Sequence, residues 1–254
     1  MLTNPLLPQR IVLLDSDQII LHNIDDMMTM DLPEGHIAAA HACTCNPRKL
    51  PHYSKDWSVC PHHRHHQRKK KQGKKKLTTK PSPPRIPANC AFTAANQTTG
   101  QPAPLTAHSP RNHHLLNSGT VVLAPSRPQY DALVRALDTH PAVPDMLFFD
   151  QDLLAVLYAD AARWTPLPYT YNALKPMRAC HAGLWRDADV KVLHYILDKP
   201  WQSRAYDADD PVEATHALWW DAFAEVEREW TGEGADEEKR RLWEAVVRPV
   251  VAQA

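Results

Sequence analysis

Four short segments carry side chains able to do chemistry: Asp15-Ser16-Asp17, Asn117-Ser118-Gly119, Asp150-Gln151-Asp152, and His194-Tyr195 followed by Lys199-Pro200-Trp201. Two carboxylates one residue apart can reach a single divalent cation. The run before them, Ile11 to Leu14, is short, continuous and apolar, which predicts a buried strand in a parallel sheet. Such sheets bind ligands beyond the carboxyl ends of their strands, where Asp15 and Asp17 emerge. Asp is also frequent after strands because it caps turns, so the pair gains meaning only from its companions.

The companions need elements of their own. Thr120 to Ala124 is a second buried-strand signal, and the small residues before it permit close backbone approach, while the Asn117 amide can bridge a sugar hydroxyl. Asp150-Gln151-Asp152 precedes the apolar stripe Leu153 to Tyr158, which predicts a helix with both carboxylates in its first turn, favourably set against the helix dipole. Tyr130 to Leu137 reads as a surface helix ended by His140-Pro141. Pro211 to Trp230 reads as a helix with Pro at its start and tryptophans that act as packing anchors, and Ala235 to Val250 as a second, charged amphipathic helix. Gly232 to Gly234 separates the last two.

In their order these motifs, with Leu167-Pro-Tyr-Thr-Tyr-Asn172-Ala-Leu-Lys175, Leu184-Trp185 and Val190-Lys-Val-Leu-His194-Tyr195, resemble glycosyltransferase family eight, the retaining transferases that include glycogenin and galactinol synthase. The resemblance runs from about Arg10 to Trp201. It implies an α/β chain with the nucleotide-diphospho-sugar transferase fold (type-A glycosyltransferase, Rossmann-like), built on a mixed, mostly parallel sheet. By position it implies that Asp15, Asp17 and His194 hold Mn²⁺, with Mg²⁺ as an alternative, on the diphosphate of a UDP-sugar donor. Lys199 adds a charge to the same diphosphate, Gln151 lies by the sugar, and Asp150 and Asp152 bind its hydroxyls. Asn117, Ser118 and Asn172 line the sugar site. The expected reaction moves a hexose from UDP-galactose or UDP-glucose, with retention, to a polyol, a glucan or a protein hydroxyl.

The chemistry accounts for these residue types. A departing nucleoside diphosphate gathers negative charge, which a divalent ion neutralises as a Lewis acid. Two carboxylates, one imidazole and phosphate oxygens suit Mn²⁺ better than Ca²⁺. Retention admits either a covalent intermediate or attack from the leaving-group face. Gln151 is a poor nucleophile at neutral pH, which favours same-face attack.

With 254 residues and 43% hydrophobic content the chain can support one moderate domain, and a net charge of zero argues against a uniformly basic nucleic-acid binder. The neutrality hides an asymmetry: Trp57 to Tyr130 contains 12 Lys and Arg and no Asp or Glu. Within it, His62 to His66, Arg68 to Lys71 and Lys74 to Lys76 form a low-complexity basic run that cannot bury a core. The family continues almost directly from an Asp-Trp like Asp56-Trp57 to a Pro-Ala-Asn-Cys like Pro87 to Cys90, so 58–86 reads as an insertion. The catalytic domain is then 1–57 with 87–205, followed by a C-terminal helical segment, 206–254. A basic nucleic-acid patch, and zinc on Cys60 with the histidines, are alternative readings of the insertion.

Family members carry further strands and helices before the D-x-D pair, whereas here Asp15 follows Met1 by fourteen residues. The N-terminal strands of the nucleotide-binding sheet are therefore expected to be missing, which would leave sheet edges and apolar faces uncovered. An inactive fragment of such a transferase is accordingly the alternative to an active one. Five cysteines and no secretory h-region fit a reduced, cytoplasmic compartment, with Cys43 and Cys45 as packed thiols, and no apolar run approaches the ~18 residues of a membrane span.

Overall fold

The apolar run before Asp15 forms β1 (Ile11–Leu14), and after the turn at Asp15-Ser16-Asp17 the chain re-enters extended structure as β2 (Gln18–Ile20). The structure, a computed structural model, describes residues 9–46, 50–51, 53–54, 90–93, 108–159 and 162–252. The basic insertion and Cys60 lie outside the described residues. Further strands are β3 (Ile37–His41), β4 (Leu116–Leu123), β5 (Trp164–Leu167), β6 (Ala173–Leu174) and β7 (Val192–His194). Among the described residues they form two sheets, ordered β1-β4-β3-β5 and β2-β7-β6, and the D-x-D turn carries the chain directly from one to the other.

The sheets are mixed, as expected, but their balance differs from the expectation. β1 and β3 both run antiparallel to β4, and β2 antiparallel to β7, while only β3/β5 and β6/β7 are parallel. β1 is also not the buried parallel strand that its composition predicts. It is an edge strand among the described residues, with Leu13 51% and Leu14 37% exposed, because β4 is its one described partner. Four apolar residues in a row need two covered faces and two neighbours, and β1 has one neighbour.

The central strand is β3. Alanine is a poor strand former, yet Ala38, Ala39 and Ala40 are fully buried, and their small side chains let bulky neighbours approach. The Trp164 indole from β5 donates to the Ala39 carbonyl at 2.8 Å and meets the His41 ring edge-on at 4.7 Å between centroids. Between Ala39 and Ala40 the facing residue on β4 jumps from Val121 to Asn117. Ser118, Gly119 and Thr120 thus form a bulge, which bends β4 and re-aims the Asn-Ser-Gly segment toward the D-x-D turn.

Helices cover these sheets: α1 (Asp26–Thr29), α2 (Arg127–Thr139), α3 (Asp150–Leu154) and α4 (Met177–Cys180). α2 begins three residues before the expected Tyr130, with Pro128 in its first turn, and its C-cap is His140 as the His-Pro pair predicts. α3 opens on Asp150 and continues into a widened π-type turn over Ala155–Ala159, whose Ala155, Tyr158 and Ala159 pack on Ile37, Val121 and Trp164. Toward the C-terminus, α5 (His216–Thr231) follows Pro211, and α6 (Glu237–Leu242) follows the Asp236 cap, which accepts from the Glu238 and Lys239 amides. The tryptophans there are anchors. Trp219 stacks on Phe223 at 5.0 Å, and Phe223 contacts buried Trp243 at 5.0 Å. Each such aromatic pair contributes about 0.5–1.5 kcal/mol beyond its burial. No helix among the described residues is long and apolar enough to cross a membrane.

Candidate active site

The D-x-D turn is held at both ends by backbone. The Asp15 amide donates to the Gly119 carbonyl of β4 at 2.9 Å, and the Asp17 carbonyl accepts from the Tyr195 amide just beyond β7 at 2.9 Å. Each sheet therefore grips one aspartate. At the end of β7, His194 is buried (2% exposed) and turns Nε2 toward both carboxylates, 3.1 Å from Asp17 Oδ1 and 3.7 Å from Asp15 Oδ2. The three donor atoms lie within 4.8 Å of one another, close enough to share one cation.

The other face of His194 fixes its proton. Nδ1 lies 2.8 Å from the Asn172 carbonyl oxygen, an acceptor only, so Nδ1 carries hydrogen. Nε2 then faces the carboxylates either with a proton of its own or with its lone pair. A proton donates to Asp17, and in its place a divalent cation would be shared by all three groups. That is the arrangement a histidine ligand needs, with Nδ1 anchored and Nε2 free for metal. The donor set of two oxygens and one nitrogen fits Mn²⁺ or Mg²⁺.

The hydrogen bonds continue beyond the imidazole. Asn172 Nδ2 donates to Asn117 Oδ1 at 2.6 Å, and Asn117 Nδ2 donates to Gln151 Oε1 at 2.9 Å. The Gly119 amide also donates to Asn117 Oδ1 at 3.1 Å. Gln18, the residue after the D-x-D pair, donates to Asn172 Oδ1 and to Thr120 Oγ1, both at 3.2 Å, while Thr120 donates to the Tyr171 carbonyl. Sequence reasoning missed Gln18 and Thr120, although their adjacency to the two motifs was a usable signal.

Charge separates the two aspartates. Burial raises Asp17, but hydrogen bonds from His194 and Lys199 outweigh it and hold its carboxyl at about 2. Asp15 is raised above its ordinary value, by burial first and then by the negative charges of Asp17 and Asp150, against the pull of His194 and Lys199. Lys199 binds Asp17 Oδ2 through Nζ and donates to the Tyr195 carbonyl at 2.8 Å. The structure thus brings together Asp15, Asp17, His194, Lys199, Asn172, Asn117 and Gln151. Asp150 is close enough for its charge to act on Asp15, and Ser118 sits half-buried in the β4 bulge.

Asp152 is differently engaged. Its Oδ2 accepts from the Leu147 and Phe148 amides at 2.9 Å each, which closes the turn that presents Asp150 and Gln151. Phe149, in the middle of that turn, has φ +43° and is 79% exposed, and Leu197, two residues before Lys199, has φ +67°. A left-handed backbone is costly at residues that carry a Cβ, and both lie beside groups of the site, where such strain concentrates.

In sequence the chain is similar to galactinol synthases: galactinol synthase 1 of Ajuga reptans is 26% identical over 225 residues, covering 84% of this chain and 53% of that one. Galactinol synthase 3 of Arabidopsis thaliana is 26% identical over 219 residues with the same coverage, and galactinol synthase 1 of Solanum lycopersicum is 30% identical over 139 residues, 52% of this chain and 42% of that one. The chain spans about half the length of these curated relatives. No family profile matches it. Among solved structures, the glycosyltransferase GlyE of Streptococcus pneumoniae TIGR4 aligns with a TM-score of 0.46 at 14% identity, over 97% of this chain and 45% of that one.

Proposed function

We propose that this chain carries the metal and sugar half of a retaining hexosyltransferase, which takes a hexose from UDP-galactose or UDP-glucose to a hydroxyl acceptor in a Mn²⁺-dependent reaction in the cytoplasm. The observation that carries the reading is the convergence of Asp15, Asp17 and His194, with His194 anchored through Asn172 and Asn117 to Gln151. Similarity to galactinol synthases supports a polyol acceptor ahead of a glucan or a protein hydroxyl.

A divalent ion held by Asp15, Asp17 and His194 would neutralise charge on the departing diphosphate. The chain's own residues do the rest. Lys199, which pairs with Asp17, supplies a compact positive charge for the same diphosphate. Gln151, steadied by Asn117, stands by the anomeric carbon and stabilises its developing positive charge, with Asp150 beside the sugar hydroxyls and Asp152 holding the turn that presents both. No carboxylate serves as nucleophile in this scheme. The acceptor attacks from the leaving-group face, and its proton passes to the phosphate oxygen that the anomeric carbon releases.

Calorimetric titration of the purified chain with UDP tests this, with and without Mn²⁺. Binding that requires the ion, and that Asp17→Asn abolishes, supports the reading. Unchanged UDP binding by Asp17→Asn would refute the metal role of that residue.

A further inference from the structure

A second cluster of ligand-type side chains lies away from the D-x-D site. Cys43 and Cys45 follow the end of β3, Cys90 belongs to the short described segment 90–93, and His181 caps α4. The expectation of simple packed thiols omits what surrounds them. His181 Nε2 faces all three sulfurs, at 3.3 Å from Cys43 Sγ, 3.4 Å from Cys45 Sγ and 3.5 Å from Cys90 Sγ, and the Cys43 and Cys90 sulfurs are 3.9 Å apart. All four ligand atoms lie within 4.8 Å of one another.

These four distances match edges of a tetrahedron around one small ion. With Zn–S about 2.3 Å and Zn–N about 2.0–2.1 Å, a regular tetrahedron has S···S edges of about 3.8 Å and S···N edges of about 3.5 Å. A disulfide needs sulfurs about 2 Å apart, and the described cysteines are all free thiols. The cluster is closed: Cys45, Cys90 and His181 are buried, and four protein ligands fill the coordination shell. Phe92 packs edge-on against the His181 ring at 5.9 Å between centroids and holds its orientation.

We propose that Cys43, Cys45, Cys90 and His181 form a structural zinc site, distinct from the carboxylate site in position and in chemistry. Thiolates are soft ligands that select Zn²⁺, whereas the two aspartates and His194 suit a harder ion, so one chain sorts two metals. Three adjacent thiols cannot all ionise unless a cation joins them. The four ligands come from three separate stretches of chain, and Cys45 and Cys90 bracket the basic insertion. A zinc ion there would join the chain that precedes the insertion to the chain that follows it.

Elemental analysis of the full chain, purified under reducing conditions and desalted through EDTA, tests this independently of any nucleotide. The expected result is about one zinc per chain, released when an organomercurial blocks the thiols. Cobalt added to the reduced, zinc-free chain should give tetrahedral d–d bands and a thiolate-to-cobalt charge-transfer band. Cys90→Ala should lower retained zinc by about tenfold or more, and Asp17→Asn should leave it unchanged. A chain that holds no zinc and gives no charge-transfer band overturns the proposal, as does zinc that survives Cys90→Ala and departs with Asp17→Asn. Should Cys90→Ala not fold, the cobalt spectrum of the unmodified chain decides. Failure of UDP to bind leaves this site unaffected.

Discussion

A methyl group on Gly119 would stand 2.4 Å from Cε1 and 2.6 Å from Nδ1 of His194, so the glycine of the β4 bulge is the surface on which the imidazole rests. The contact is under van der Waals distance for any other residue, and on the far side Asn117 Oδ1 stands 3.0 Å away. Gly119→Ala must therefore push the ring from its place between Asn172 and the aspartates. We expect a stability loss of about 1–3 kcal/mol and a weakening of Mn²⁺-dependent UDP binding by about tenfold or more. Thermal unfolding and calorimetry together check this, and an unperturbed metal affinity would sever the glycine from the site.

Asn172 would act on a bound metal through His194. Its Oδ1 takes the Nδ1 hydrogen and its Nδ2 supports Asn117. Asn172→Ala removes both, and Mn²⁺ affinity is expected to fall about 10–100-fold, as for other partners of ligating histidines. Asn172→Asp should restore part of the loss, since a carboxylate also accepts the Nδ1 hydrogen. A manganese titration followed by electron paramagnetic resonance reads both variants directly.

Asp187 gives a pH prediction away from either metal. Arg178 grips it with two parallel bonds, Nε at 2.9 Å and Nη2 at 2.8 Å, and Trp185 Nε1 donates at 2.7 Å. Hydrogen bonds from Arg178 lower its pKa against a burial that would raise it, with Trp185 adding to the lowering. Because the folded value lies below the unfolded one, the unfolded chain binds more protons at acid pH. The contribution is then complete above the ordinary 3.8 and is lost as pH falls below it. The carboxylate is largely exposed, which limits the effect to under about 1 kcal/mol. Asp187→Asn should lie below the native chain in urea-unfolding stability at neutral pH and converge with it in acid.

Deletion of 58–86 tests how far the insertion matters. Cys45 and Cys90 reach the same imidazole nitrogen, so the two ends of the intervening stretch already meet without it. The deleted chain is expected to keep its zinc and its Mn²⁺-dependent UDP binding. A fall in either would mean that the basic residues take part.

Much of the carboxylate site was legible because its motifs are local: a D-x-D pair after a strand, a small-residue triplet, two acids at a helix start. Each of these announces itself within a few residues. The relations across the chain were not legible. Cys45 and His181 are 136 residues apart, and nothing in an odd cysteine count says that a histidine beside the fifth cysteine will close a tetrahedron with three of the others. Gln18 belongs to none of the motifs, and only the fold sets its amide between Thr120 and Asn172. Strand direction failed for a similar reason: the run Ile11 to Leu14 records that a strand wants burial, while neighbours decide which way it runs and whether burial is supplied.

The amide chain from His194 to Gln151 has a polarity. Each carbonyl oxygen in it accepts from the metal side and each amide nitrogen donates away from it, so no member can turn round unless its neighbour turns too. The end of Gln151 presented to a sugar is thereby dictated by the tautomer of a histidine three links away. Choosing Nε2 as the metal-facing nitrogen also makes Gln151 accept from Asn117 through Oε1, whose second lone pair is left for the sugar. The glutamine is thereby aimed by the same hydrogen bonds that hold the histidine, and a chain in which they are misassembled would also offer its sugar the wrong atoms.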